Sequence, residues 1–128
     1  MRVILTIALA LIGSIAAQAA QPDLIFQMGD RVRAAAKTLN GVPPDWRFIV
    51  VNEIQWHEMM DQSGLDRSQA QSAVSNLSKH FTFVREGYAV RATDSELRQT
   101  IAHEMGHYKC GCTDEDKANF YRDIILKN

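Results

Sequence analysis

Residues 103–107 read H-E-x-x-H, a pattern whose residue types and spacing suit metal-assisted hydrolysis. Histidines four residues apart lie on the same face of a helix, so the imidazoles of His103 and His107 can bind one metal ion. Glu104 is rotated by about 100° from His103, which lets its carboxylate hold a water without binding the metal. Zn2+ lowers the pKa of such a water, and the carboxylate can take its proton. The motif therefore predicts a zinc site with His103 and His107 as ligands and Glu104 as general base.

A catalytic zinc needs a third protein ligand, and the candidates follow the motif closely. They are carboxylates or thiols: Asp114, Glu115, Asp116, Cys110 and Cys112. A thiolate ligand would give a structural zinc site with no open position. In an oxidising compartment the two cysteines could instead pair with each other, pair with another molecule or stay reduced. The residues alone leave these alternatives open.

The motif must be carried by a helix, and the pattern predicts one from Thr93 to Tyr108. Thr93 and Glu96 have the spacing of a capping box, and Gly111 is suited to end the helix. Gly106 lowers helix propensity but lets another part of the chain approach closely. A second helix is expected to begin with Thr113 as N-cap and acidic residues in its first turn. The apolar stripe of the motif helix comprises Leu97, Ile101, Met105 and Tyr108.

The preceding segments predict the rest of a mixed domain. Helical spacing of apolar residues predicts a scaffold helix at 23–39, and aromatic and β-branched residues predict strands at 46–51 and 80–86. Residues 66–79 are interpreted as a short helix or an ordered loop. Residues 54–62 contain an H-E-x-x-D sequence, which we interpret as a solvated helical or loop segment and not as a metal site.

The strand at 80–86 admits two roles. Its alternation places Phe81 and Phe83 on one side and Thr82 and Val84 on the other. The aromatic side chains are expected to pack on the H-E-x-x-H helix. The strand could also lie at an edge of the sheet and pair with an extended peptide substrate.

The beginning of the chain predicts export. Residues 3–20 carry no charge, Arg2 precedes them, and the small residues Ala17 and Ala19 suit a signal peptidase. We expect a signal peptide at residues 1–19, cleaved between Ala19 and Ala20, rather than an uncleaved anchor. A single domain of residues 20–128 would then be periplasmic or secreted, with no stable membrane insertion. The formal net charge of −1 argues against a nucleic-acid partner.

The segment from Glu115 to Asn119 reads E-x-x-A-N, which resembles the second motif of gluzincin metallopeptidases. The A-N form is similar to that of ImmA/IrrE-type peptidases. Residues 76–107 resemble peptidases of the CAAX-protease type in their smallest, minigluzincin form. The resemblance spans roughly residues 46–126, and the two short motifs carry it.

The resemblance implies a small α+β zincin-like domain, with a short mixed or antiparallel sheet packed on the H-E-x-x-H helix and a C-terminal glutamate helix. It makes His103, His107 and Glu115 the zinc ligands, Glu104 the general base, and Asn119 a residue that orients a ligand histidine. The implied protein is an exported zinc metalloendopeptidase that acts on peptides or proteins. The alternative is a non-catalytic, zinc-stabilised protein-binding module on the same fold, against which the intact Glu104 argues. Because only residues 108–114 separate His107 from Glu115, the two helices must form a tight hairpin.

Overall fold

The computed structural model describes residues 22–63 and 72–128, which form a small α+β domain, as predicted. The signal peptide predicted at residues 1–19 lies outside the described residues. Among the described helices, none is both long and apolar enough to cross a bilayer. Five helices and a three-stranded sheet lie within the described ranges. In chain order they are α1 (Pro22–Lys37), β1 (Arg47–Val51), α2 (Glu53–Ser63), β2 (Ala73–Asn76), β3 (Phe81–Arg85), α3 (Glu86–Arg91), α4 (Asp94–Cys110) and α5 (Glu115–Lys127).

The sheet is mixed, and β3 is its central strand. β3 pairs in parallel with β1 and antiparallel with β2, so the predicted strands at 46–51 and 80–86 are both confirmed. The prediction of a helix or loop at 66–79 is wrong for Ala73–Asn76, which form β2. Residues 66–71 of that segment lie outside the described residues. β2 is rich in small and polar residues, and its conformation follows from backbone pairing with β3 rather than from local propensity.

Both faces of the sheet are covered, and this decides which side chains of β3 are buried. The predicted alternation is confirmed, but Thr82 and Val84 are the buried pair, and Val84 belongs to the core cluster that includes α4. Phe83 packs on the opposite side, with Trp56 and Met60 of α2. The prediction that the aromatic side chains pack on the H-E-x-x-H helix is therefore wrong, because Phe83 packs on α2 and the ring of Phe81 lies against that of Phe83.

The segment predicted as a solvated helix or loop at 54–62 is a helix, but it is not fully solvated. Trp56 and Met60 are each 1% exposed and anchor α2 to the sheet. The side chain of Asn52 accepts a hydrogen bond from the backbone of Gln55 at 2.8 Å and so caps the helix start. Among the described residues, His57 belongs to no group of three or more His, Cys, Asp and Glu side chains that could hold a metal ion.

The predicted amphipathic helix at 23–39 is confirmed as α1, and one arginine ties it to the start of α4. The guanidinium of Arg31 donates to the carbonyl oxygens of Ala89 and Ala92, at 2.9 Å each, and pairs with Asp94 at 2.8 Å. These bonds join α1 to the end of α3 and to the first residue of α4. α1 and α4 pack in one hydrophobic core with the inner face of the sheet. The core residues from α1 and the turn after it are Val32, Ala35, Ala36 and Leu39.

Candidate metal centre

α4 carries the H-E-x-x-H sequence, and its ends are encoded locally. Thr93 and Glu96 form the predicted capping box, with side chain-to-backbone distances of 3.1 and 2.8 Å. Gly111 ends the helix in the left-handed conformation with φ 60°, as expected. Burial of the apolar stripe fixes the rotation of the helix, so the neighbouring face meets the cleft described below. The fully buried members of this stripe are Leu97, Ile101 and Met105.

His103 and His107 project from that neighbouring face, with ring centroids 4.7 Å apart. Glu115 reaches them from the first turn of α5. Its Oε1 lies 2.7 Å from Nε2 of His103 and 3.3 Å from Nε2 of His107. One donor atom from each of the three residues lies within 4.8 Å of the other two. Within residues 22–63 and 72–128, no other group of His, Cys, Asp and Glu side chains meets this condition.

The two other carboxylate candidates lie elsewhere. Asp114 is the N-cap of α5, because its Oδ1 accepts a hydrogen bond from the backbone of Lys117 at 3.0 Å. The prediction of Thr113 as N-cap is therefore wrong by one residue, which is a small error because both residue types are good caps. Asp116 lines a separate surface hollow. Capping at Asp114 makes Glu115 the first helical residue and turns it toward the histidines.

A disulfide between Cys110 and Cys112 lies in the turn that joins α4 to α5. Of the alternatives open from the sequence, the intramolecular pair is the one formed, and a disulfide sulfur is not a thiolate ligand. The carbonyl oxygen of Cys112 accepts a hydrogen bond from Nδ1 of His107 at 2.9 Å. The backbone N–H of Cys112 donates in turn to the carbonyl oxygen of His107 at 3.2 Å. The expected tight hairpin thus forms, and its turn orients one of the histidines.

Asn119 orients the other histidine. Its Oδ1 lies 2.8 Å from Nδ1 of His103, and it also accepts a hydrogen bond from Nη1 of Arg122 at 3.2 Å. Because a guanidinium can only donate, Arg122 identifies this atom as the amide oxygen. The oxygen therefore accepts from His103 as well, and the ring keeps its Nδ1 protonated. Arg122 is a supporting residue that the sequence analysis did not identify.

The protonation of the two rings bears on what the site can hold. Since the Cys112 carbonyl and the Asn119 oxygen only accept, Nδ1 of each histidine carries a proton and Nε2 of a neutral ring presents a lone pair. These two lone pairs and the carboxylate of Glu115 then face one another, an arrangement that a shared cation would stabilise. Two imidazole nitrogens and one carboxylate oxygen are also a ligand set of catalytic zinc sites. The residues present therefore fit a zinc ion.

Glu104 is a buried carboxylate on α4, 7% exposed, and it lines the same cleft as the histidines. Its Oε1 accepts a hydrogen bond from Oγ of Ser75 in β2 at 2.6 Å, the only hydrogen bond to this side chain from the described residues. Burial raises the pKa of the Glu104 carboxyl, while the Ser75 hydrogen bond and the nearby histidines act in the opposite direction. A carboxylate whose pKa is raised is better suited to accept a proton near neutral pH.

Gly106 allows α5 to pack directly on α4. A Cβ at this position would overlap the carbonyl oxygen of Ala118 and lie 2.9 Å from its carbonyl carbon. These are backbone atoms, so they cannot rotate away as a side chain could. The close approach expected at Gly106 is thus confirmed, and its partner is the helix that carries Glu115 and Asn119.

We expect Gly106→Ala to lower the free energy of unfolding by about 1–3 kcal/mol, because the overpacking outweighs the gain in helix propensity. The matched control is Gly29→Ala in α1, where a Cβ would meet only the flexible guanidinium of Arg33, at 3.1 Å. Urea unfolding should show the control to be neutral or slightly stabilised. A Gly106→Ala protein as stable as the control would contradict the backbone contact.

The site opens onto a cleft of about 800 Å³. One wall is β2, and the other is formed by α4 and the start of α5. The expectation that β3 offers a free edge is wrong, because β3 pairs on both sides. The strand that borders the cleft is β2, which pairs only with β3 among the described strands.

Comparison of the chain with protein-family models, curated proteins and solved structures finds no match. Any function must therefore be inferred from the geometry of the residues themselves. The structure adds Ser75, Arg122 and the Cys112 carbonyl to the residues predicted from sequence. The helical spacing of Arg122 and Asn119 could have indicated their contact. Ser75 is brought in by strand pairing and the carbonyl is a backbone atom, so neither had a sequence signal.

Proposed function

We propose that the chain is a zinc-dependent peptidase with a zincin-like fold, in which His103, His107 and Glu115 bind the metal and Glu104 is the general base. The observation that carries this proposal is the convergence of three ligand atoms beside a buried carboxylate in an open cleft. The orientation of both histidines by hydrogen bonds at Nδ1 supports it further, because ligand histidines are commonly fixed in this way.

Zinc, when bound, polarises a carbonyl group and lowers the pKa of water. Glu104 contributes the proton acceptor: it takes a proton from the attacking water and can later return it to the leaving amine. Burial keeps its carboxylate poorly solvated and therefore more basic. The proposed reaction is hydrolysis of a peptide bond.

The edge of β2 supports a peptide or protein as the substrate. The backbone N–H of Arg85 donates to the carbonyl oxygen of Ser72 at 2.9 Å, so these two residues form a hydrogen-bonded pair. Bonded and non-bonded pairs alternate in an antiparallel ladder, so Ala73 and Ser75 direct their backbone groups away from β3. Ala73 and Ser75 both line the cleft, where an extended peptide could pair with their backbone.

The E-x-x-A-N segment is consistent with the gluzincin resemblance in the described geometry. Glu115 meets the histidines, Ala118 packs on Gly106, and Asn119 bonds His103. We also propose that the peptidase is exported to the periplasm or secreted after removal of residues 1–19.

The proposal is tested with the purified chain, an unfolded reporter peptide and a zinc chelator. We expect hydrolysis that chelation abolishes and that stoichiometric zinc restores. A matched incubation with Mg2+ should not restore it, because Mg2+ prefers oxygen ligands. Hydrolysis that survives complete removal of the metal would overturn the proposal, as would a zinc-loaded chain that cleaves no unfolded substrate.

A further inference from the structure

A chain of hydrogen bonds runs from the protein core to Glu104. Nε1 of Trp46 donates to Oγ1 of Thr82 at 2.9 Å, and Oγ1 of Thr82 lies 2.7 Å from Oγ of Ser75. Oγ of Ser75 in turn lies 2.6 Å from Oε1 of Glu104. Trp46 and Thr82 are buried. The chain therefore starts at the residue before β1, passes through β3 and β2 to α4, and runs from the buried core to the wall of the cleft.

The direction of these bonds follows from the groups at the two ends. An indole N–H can only donate, and an ionised carboxylate can only accept. Each hydroxyl between them has one proton to give. The hydroxyl of Ser75 donates its proton to Glu104 and therefore accepts one from the hydroxyl of Thr82. The hydroxyl oxygen of Thr82 in turn accepts the N–H of Trp46. Every hydroxyl proton in the chain thus points toward the carboxylate.

The two carboxylate oxygens of Glu104 differ in their hydrogen bonding. Oε1 is held by Ser75, and no described residue donates a hydrogen bond to Oε2. A carboxyl group rotates freely about its last bond when nothing holds it, since that torsion is broad. The hydrogen bond to Oε1 restricts this rotation and leaves Oε2 as the oxygen to which no described residue donates, which favours it as the proton acceptor.

We propose that Ser75 is a positioning residue for the reaction, because it aims the free oxygen of Glu104 at the attacking water. The inference rests on the proposed peptidase function. It also links the base to the substrate, because Ser75 directs its backbone groups toward the cleft and its hydroxyl to the carboxylate. A peptide that pairs with β2 would therefore hold the same residue that aligns the base.

The test measures kcat and KM of the zinc-loaded full chain on an unfolded reporter peptide. Ser75→Ala should lower kcat by about 10- to 100-fold, the usual effect of losing a supporting hydrogen bond at a metal site, with KM and zinc content unchanged. Ser75→Thr keeps a hydroxyl on Cβ and should recover most of kcat. The control is Ser78→Ala in the turn before β3, which removes an exposed hydroxyl bonded to Asn76 at 3.0 Å and should leave kcat unchanged.

The outcomes separate this inference from the proposed function. If the wild type is active and Ser75→Ala equals it in kcat, the inference is overturned while the peptidase function stands. If Ser75→Ala loses zinc or its cooperative unfolding, and Ser75→Thr does not recover kcat, Ser75 supports the fold rather than the base and the inference is likewise overturned. A wild type that hydrolyses nothing overturns the function, and the inference with it.

Discussion

Replacing Glu104 with glutamine is expected to lower kcat by about 10²- to 10⁴-fold while zinc remains bound, because the variant keeps the three ligands and loses only the proton acceptor. Glutamine has nearly the same shape as glutamate, and its amide oxygen can still accept the hydrogen bond from Ser75. The thermal midpoint of the variant should be no lower than that of the wild type, because an uncharged side chain is less costly to bury.

The control for this experiment is Glu58→Gln, the same chemical change at an exposed residue of α2. It should leave kcat, zinc content and thermal midpoint unchanged. A Glu104→Gln protein that keeps wild-type activity would exclude Glu104 as the base. Loss of zinc in Glu104→Gln would instead indicate that the carboxylate helps to bind the metal. A wild type that is inactive but binds an extended peptide would favour the non-catalytic binding module.

The features that sequence predicted best are those that depend on neighbours along the chain. The capping box of Thr93 and Glu96, the end of α4 at Gly111 and the turn-to-turn spacing of His103 and His107 all involve residues within one helical turn. Backbone geometry fixes such relations whatever the rest of the fold does. Glu115 is a different case, because the residues alone left several third ligands open and only the gluzincin resemblance selected it. In the structure its carboxylate lies beside both histidines.

The features that sequence missed depend on segments that are distant along the chain. Ala73–Asn76 become a strand because β3 offers them a partner, and the segment itself has weak strand propensity. Thr82 is buried in place of Phe83 because α2 covers the other face of the sheet. A buried threonine in turn needs polar partners, and Trp46 and Ser75 supply them. The support of Glu104 by Ser75 follows from this same arrangement and could not be read from the motif.

Glu115→Ala and Asp116→Ala form a matched pair that tests the third ligand. Both residues are exposed acids in the first turn of α5. The interaction of each carboxylate with the helix dipole stabilises the folded protein by about 0.3–1 kcal/mol. The loss of this helix-dipole contribution should therefore be similar for the two substitutions. Only Glu115 places a carboxylate oxygen 2.7 Å from Nε2 of His103, whereas Asp116 lines a separate hollow. A difference in zinc affinity between the two variants therefore isolates ligation from effects on the helix.

We expect Glu115→Ala to weaken zinc binding by more than the roughly 10- to 100-fold loss typical of a supporting residue, and Asp116→Ala to leave it unchanged. Asn119→Ala provides the intermediate case, because it removes no ligand but takes away the acceptor for Nδ1 of His103, which Arg122 also shares. Competition titrations with a chromogenic chelator would rank the three variants. If Asp116→Ala lost zinc and Glu115→Ala kept it, the start of α5 would be rotated from the position described. If neither variant lost zinc, the third ligand would lie elsewhere, and hydrolysis through this group of residues would no longer be supported.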